Sequence, residues 1–509
     1  MVTNQKRRGN NSIPRIIFVG LSLLFQIGWI LLLVLKLNAH YAWISGATGI
    51  LALLVVLKLY SKDTTSAMKM PWVMLILAFP VMGLSLHLMI EVFGDLAKTG
   101  KRMKAAREKT APFLSQQPEI LDTLPQPMKN QHRYLWEYGA SPAWKNTHVQ
   151  FFPEATESFQ ALKAALEQAE HFIFMEYFIV AEGSAFSEIR EILTRKARQG
   201  VEVRLMYDDV GSIGYANFRF ARELNRAGIQ CRIVNPALPV LNLFMNHRDH
   251  RKITVVDGKV GFTGGYNLAD EYFDRTHPYG KWKDTGLRLE GQAVQSLTAS
   301  FLQMWCAMGH QEEAPGKFLR SYPVEGASGI VQPFGDDPLD RERVAENVFL
   351  NLISMAQESL YFTTPYLIIT DEMVRALGLA AKRGVDVRIV TPGIPDKKTV
   401  FRVTRSYYPV LAAQGVRIYE FTPGFCHAKQ CVCDGKIASV GTSNLDYRSL
   451  YLHFENNVLF SGCQAVAQVQ EDFSRLFAQS EEVTERYRTG PNAILRIWQC
   501  ILRLFAPLM

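Results

Sequence analysis

The chain has 509 residues, 48% of them hydrophobic, with a formal net charge of +8. Its seven cysteines make an odd total with no paired spacing, which excludes a disulfide framework. The positive charge suits an anionic membrane surface and would equally suit nucleic acid, so charge alone does not choose a partner.

Three apolar runs come first along the chain. Ile16–Leu35 is twenty residues without a charge, Tyr41–Leu57 follows, and Pro71–Ile90 is interrupted by Pro80 and His87. A run of about twenty apolar residues matches the hydrocarbon core of a bilayer. Residues 1–95 are therefore expected to form a membrane anchor of two or three transmembrane helices. A cleaved signal peptide fits poorly: the first apolar core is too long, Leu37-Asn38-Ala39 is a poor cleavage site, and two more runs follow. With three spans, Lys and Arg divide seven against seven between the two sides, so the positive-inside rule gives no orientation. The cluster Lys98, Lys101, Arg102, Lys104, Arg107 and Lys109, together with the unpaired cysteines, favours a catalytic part facing the cytoplasm. Residues 96–130 hold this basic segment and a linker, Gln116–Lys129, marked by three prolines.

The remaining length is ample for two α/β lobes with large cores, expected at 131–315 and 316–509. An internal repeat supports two lobes. Phe172–Ile179, a helical stretch closing at Gly200, and Val201–Met206 are answered by Leu360–Leu367, a stretch closing at Gly384, and Val385–Val390. Leu224–Gly228 is likewise answered by Leu411–Gly415. Short apolar strands alternating with helices indicate α/β layers, and the two lobes are expected to pack face to face.

Each repeat then reaches the pattern His-x-Lys-x-x-x-x-Asp: His250, Lys252 and Asp257 in the first half, His427, Lys429 and Asp434 in the second. Matching tails follow, Gly264-Gly265-Tyr266-Asn267 and Gly441-Thr442-Ser443-Asn444. Alternate residues of a strand share a face, so each histidine should project with its lysine. Two ammonium groups can neutralise a phosphodiester as charge builds in the transition state. One imidazole can attack phosphorus to give a phosphohistidine while the other protonates the leaving alcohol. The near two-fold repeat leaves open which histidine attacks.

These paired motifs resemble the phospholipase D superfamily. Asn246–Ile253, Gly264–Tyr272, Tyr419–Lys429 and Gly441–Ser449 narrow the resemblance to bacterial cardiolipin synthases, from about residue 130 to the C-terminus. The resemblance implies two pseudo-symmetric α/β sandwich lobes behind the N-terminal transmembrane helices. One departure is the third apolar run, where two are common. It further implies a catalytic set of His250, Lys252, Asp257, His427, Lys429 and Asp434, with the aspartates buttressing the fold rather than touching substrate. Asn267 and Asn444 would donate to phosphate oxygens. Asp284 would orient His250, and Glu455 would orient His427.

Four other features carry less. Tyr207–Ser212, with Asp208 and Asp209, reads as loop structure near the site. Cys426, Cys431 and Cys433 flank the second motif in no zinc spacing, and ligation would remove His427 from catalysis. Leu238–Met245 is unusually apolar for a loop, and could line a path for lipid or simply pack. Ile494–Phe505 reads as a closing helix on the domain or on the membrane surface.

The reading is a phosphatidyl transferase at the bacterial plasma membrane, multi-pass, acting on phosphatidylglycerol among anionic lipids. By resemblance it makes cardiolipin and glycerol from two phosphatidylglycerol molecules, with no metal or organic cofactor and no nucleic-acid partner. With water as acceptor the same chemistry is a phospholipase D. A non-catalytic lipid-binding protein should have lost a motif residue, and none is lost here. Motif spacing does not give the acceptor or the oligomeric state.

Overall fold

Two sheets with one strand order account for the repeat. The computed structural model describes residues 20–21, 24–25, 27–29, 31–32, 42–93, 96–216, 218–236, 247–309, 314–488, 493–504 and 506. The first half holds Thr147–Phe152 (β1), Phe172–Tyr177 (β2), Glu202–Asp208 (β3), Gln230–Val234 (β4), Arg248–Asp249 (β5), Lys252–Val256 (β6), Val260–Gly264 (β7), Lys281–Lys283 (β8) and Gly286–Gly291 (β9). The second holds Ile330–Asp336 (β10), Ser359–Thr363 (β11), Leu367–Ile368 (β12), Asp386–Pro392 (β13), Arg417–Phe421 (β14), Gly424–Cys426 (β15), Gln430–Cys433 (β16), Ile437–Gly441 (β17), Leu445–Asp446 (β18), His453–Ser461 (β19) and Ser480–Glu482 (β20).

The seven-stranded sheet runs β1-β9-β7-β6-β2-β3-β4, and its counterpart runs β10-β19-β17-β16-β11-β13-β14-β20, with β5 joining β19 to make nine. In both, three parallel strands joined through helices meet an antiparallel set that begins at the motif strand, β6 or β16. The motif strands are buried along their whole length, so each reads as an apolar run broken only by its lysine or glutamine end.

One continuous buried cluster joins Phe174, Ile253 and Phe301 of the first half to Val440, Phe454 and Phe473 of the second. The helix Val294–Met308 packs on the first sheet and reaches β10, while Gln464–Ala478 packs on the second and reaches β1. The two lobes therefore share a core rather than merely touching. Separate apolar clusters close the outer faces, around Leu162, Leu193 and Leu205 on one side and Leu352, Leu377 and Leu411 on the other.

The N-terminal runs differ from the expected spans. Ile16–Leu35 lies largely outside the described residues. The second run forms α1, Ala42–Ser61. The third does not make one span: Ser66–Ala78 (α2) and Pro80–Phe93 (α3) are separate helices. Phe79 closes α2 by donating its N–H to Leu75 O at 2.9 Å, and Pro80 has no N–H to continue the ladder. The chain then doubles back so tightly that a Cβ on Gly83 would lie 2.6 Å from Ile76 Cα. Among the residues whose side chains are described, no helix is long and apolar enough to cross a membrane; the first four side chains of α1 fall outside that set. Next comes Leu96–Thr110 (α4), which carries the basic cluster. Ala493–Leu504 (α5) is the expected closing helix: it buries Leu502 and sets the Arg503 guanidinium 4.0 Å from the Tyr407 ring centroid. Leu238–Met245 lies outside the described residues.

Candidate active site

The motif aspartates explain the local geometry first. Asp257-Gly258 and Asp434-Gly435 turn β6 into β7 and β16 into β17, and all four residues have positive φ, as such tight hairpins require. Asp257 accepts backbone N–H bonds from Glu170, His171 and Phe172 at 2.7–2.8 Å. Asp434 accepts them from Gln357, Glu358 and Ser359 at 2.8–3.0 Å. Each aspartate thus ties the far end of its motif strand to the start of β2 or β11. They take the buttressing place expected of them and stand outside the set that meets the histidines.

At the other end of each motif strand the halves exchange segments. β5, just before His250, pairs in parallel with the start of β19, and β15, just before His427, pairs in parallel with β8. His250 N donates to Phe454 O at 2.9 Å, and His427 N to Lys283 O at 2.7 Å. Each histidine is therefore held on the backbone of the opposite half.

This exchange corrects the expected acid partners. His250 Nδ1 lies 2.9 Å from both oxygens of Glu455, and His427 Nδ1 lies 2.7 Å from Asp284 Oδ2. The sequence-based assignment paired each histidine with the acid of its own half, and the structure crosses them. With Nδ1–H donated to a carboxylate, each imidazole presents Nε2 for chemistry. The two acids are seated differently. Gly265 is required beside Asp284, since a Cβ there would come within 2.1 Å of its Oδ1. The equivalent residue of the second half, Thr442, instead donates its hydroxyl to Glu455, as does Ser449.

The lysines follow the expected geometry. Lys252 Nζ donates to His250 O at 2.6 Å, and Lys429 Nζ donates to His427 O. Lys429 Nζ also lies 2.8 Å from His427 Nδ1, but that nitrogen's proton goes to Asp284, so this is a close approach of charge to ring. All four side chains are buried. Burial lowers Lys252 to about 7 and Lys429 to about 8. Burial, then the charge of Lys429, pulls His427 down to about 4, while Asp284 pushes it back up. Burial also holds His250 well below the usual imidazole range, reinforced by Lys252, His453, Lys429 and His427. The exchanged strands and the crossed acid–histidine bonds place both motifs around one site. Glu455 is pushed well above the usual carboxylate range by the same burial.

Asn267 diverges from the expected role. Its Nδ2 donates to the Tyr272 hydroxyl at 2.8 Å, and its Oδ1 accepts from Ile179 N at 3.0 Å. Tyr272 stands edge-on to the His427 ring at 5.3 Å, so Asn267 orders the wall of the site. Asn444 differs: its Oδ1 is buried without a hydrogen-bond partner. Asp208 accepts N–H bonds from Val210 and Gly211 at 3.0 Å and from Asp249 at 3.1 Å, fixing the residue before His250.

Sequence reasoning passed over His453. Its ring centroid lies 5.6 Å from that of His250, and among the described residues neither of its buried ring nitrogens has a hydrogen-bond partner, Glu455 Oε1 lying 3.7 Å from Nδ1. Its place two residues before Glu455, on the same strand face, was the available signal. His250, His453 and Glu455 bring possible metal-ligand atoms within 4.8 Å of one another, although both Glu455 oxygens are already engaged by His250, Thr442 and Ser449.

The comparisons with known proteins agree with this geometry. The family described as "Cardiolipin synthase, PLD-like domain" matches residues 162–305 and 349–477. An uncharacterized protein of Streptococcus mutans is 39% identical, over 89% of this chain and 99% of its own. A cardiolipin synthase of Halalkalibacterium halodurans is 32% identical, over 92% of this chain and 95% of its own. Among solved structures, a phosphatidylserine synthase of Haemophilus influenzae superposes with a TM-score of 0.56 at 12% identity, covering 76% of this chain and 100% of its own; it shows the α/β fold.

Proposed function

Because this chain belongs to the phospholipase D-like cardiolipin synthase family, we propose that it condenses two phosphatidylglycerol molecules into cardiolipin and glycerol at one site shared by both halves. The observation that carries this reading is the pair of buried imidazoles, each oriented through Nδ1 by a carboxylate and each beside a lysine. His250 Nε2 attacks phosphorus, the bond from phosphorus to the glycerol oxygen breaks, and His427 gives its proton to that oxygen. His427 takes up this proton as the bound phosphodiester adds negative charge to the site, a direction Asp284 already favours. In the second half-reaction His427 removes the proton from a hydroxyl of another phosphatidylglycerol. That oxygen attacks phosphorus, the P–N bond breaks, and His250 is restored. Lys252 and Lys429 hold the phosphate oxygens, with Asn444 completing the cradle. Burial keeps the His250 ring neutral and its lone pair available, as a nucleophile requires. The apolar N-terminal runs and the membrane-lipid substrate support an enzyme associated with the membrane in which both substrates reside.

The test is incubation of the purified protein with labelled phosphatidylglycerol in mixed micelles. Cardiolipin and free glycerol in equal amounts support the reading. Phosphatidic acid as the main product would make it a hydrolase, and no turnover would mean that the lipid class is wrong.

Two further outcomes follow from the site. Lysines lowered to about 7 and about 8 lose their charge as pH rises through that range, and phosphate neutralisation goes with it. The kcat/KM should therefore fall steadily from pH 7 to 9, and a rate independent of pH to 9 would contradict the role of the lysines. His453, kept neutral by burial, has one donor and one acceptor to offer an acceptor hydroxyl. The His453→Ala variant should lower the ratio of cardiolipin to phosphatidic acid about tenfold, the effect of one lost hydrogen bond in a buried site. An unchanged ratio would remove His453 from acceptor binding.

A further inference from the structure

We propose that the α2–α3 hairpin is a non-spanning anchor seated in the anionic cytoplasmic leaflet, on the same side of the membrane as the catalytic lobes. The inference rests on the membrane placement proposed above and adds what the hairpin does there.

Length argues first. The arms have 13 and 14 residues, roughly 20 Å each at the rise of an α-helix, against a hydrocarbon core of roughly 30 Å. The close passage of Gly83 over Ile76 fixes the reversal, and apolar packing of Ile76 with Trp72, Leu84 and α1 residues Ala52 and Leu59 holds the arms to α1. A hairpin so closed enters a leaflet and returns.

Its surface argues second. Met70, Met74, Leu77, Phe79 and Leu88 are each about half exposed or more, and they continue the exposed apolar face of α1 around Leu53 and Leu57. Contiguous apolar surface of this kind marks a lipid or protein contact. The hairpin is also fixed to the catalytic part. Ala67 and Met68 pack against the core of the second lobe, and α2 touches α5, which exposes Ile497 and Ile501. Arg503 holds α5 down by donating to Ser406 O at 2.7 Å. One flank of the second lobe thus carries an apolar tip and an amphipathic helix together; in the chain the hairpin is preceded by Lys62 and followed by the exposed Lys101, Arg102 and Lys104 of α4. Apolar side chains flanked in the chain by cations fit the headgroup boundary of an anionic leaflet.

Charge balance argues third. If the hairpin does not cross, the segments before α2 and after α3 lie on one side. With the first two runs crossing, that side collects the N-terminal tail, the α1–α2 loop and α4, thirteen Lys and Arg against Lys36 alone. The seven-against-seven tie of three spans becomes a clear positive-inside orientation with the lobes in the cytoplasm.

The test uses the full chain in bacterial membranes, with Asp63→Cys and Lys101→Cys made separately and the parent protein as blank. Both positions are exposed and flank the hairpin. Sedimentation with membranes is checked first, since a protein absent from that fraction would overturn the membrane placement and not the hairpin. Each variant is then treated with a membrane-impermeant maleimide in right-side-out and inverted vesicles, with detergent-opened vesicles setting full labelling. Labelling of both positions in inverted vesicles only supports the proposal. Labelling from opposite sides would make the hairpin a span, and labelling of both in right-side-out vesicles would place the lobes outside; either overturns it.

Discussion

His250→Ala and His427→Ala should each lower cardiolipin formation by about a thousandfold or more, because each removes a group that acts in both half-reactions. The double variant should be little worse than either single one, since groups that act as a unit do not contribute additively. The two lesions are nevertheless distinguishable. A phosphatidyl ester of p-nitrophenol has a leaving group that departs without protonation, so its first half-reaction does not need His427. With this donor, His427→Ala should release nitrophenolate in a stoichiometric burst and then stall, for lack of a base to activate the acceptor. His250→Ala should show no burst. Circular dichroism and melting of both variants in detergent separate these losses from misfolding. The contacts at stake are few: each ring touches its carboxylate and aromatic neighbours such as Phe178 or Tyr272, and Lys429 also approaches the His427 ring. Equal bursts from both variants would contradict the assignment of roles.

Asp284→Asn and Glu455→Gln should each cost about 10²- to 10⁴-fold in turnover, the range for losing the carboxylate that fixes a catalytic tautomer. The crossed hydrogen bonds make the pattern informative. Asp284 lies in the half that carries His250, yet it bonds His427 at 2.7 Å; Glu455 lies in the half that carries His427, yet it bonds His250 at 2.9 Å. With the p-nitrophenyl donor, Asp284→Asn should therefore behave as His427→Ala does and keep its burst. Glu455→Gln should lose the burst as His250→Ala does. Glu455 also accepts from Thr442 and Ser449, so its amide variant leaves two hydroxyls to re-pair and its thermal stability should drop as well. If Asp284→Asn abolished the burst while Glu455→Gln kept it, each acid would serve its own half.

That crossing marks the limit of what could be read from the chain. The motifs, their tails and the repeated strands were legible because they are local patterns of period two and matched spacing. The strand order common to both sheets follows from them. Which acid meets which histidine is decided by β5 and β15, segments of two and three residues with no periodicity, which pair with strands some two hundred residues away in one case. Nothing in the local sequence encodes such a partner. Asn267 shows the same limit: its motif position suggested a phosphate donor, but Tyr272, five residues on, takes its amide. At the N-terminus, hydropathy summed over Pro71–Ile90 gave a span, and the reversal depends on Phe79-Pro80 and on Gly83 yielding room to Ile76. Those three residues were visible, but a hydropathy window averages them away. His453 was passed over because a histidine beside a strand acid has no motif, and only its unpartnered nitrogens next to His250 give it meaning.

The proposed reaction puts a covalent intermediate on one half and its acid and base on the other. Its most direct measurement is peptide mass analysis of His427→Ala, quenched after the burst with the p-nitrophenyl donor. The expected result is a phosphatidyl adduct on the peptide that contains His250, in amount equal to the nitrophenolate released. Nitrophenolate released without any adduct on His250 would contradict a phosphohistidine at that position.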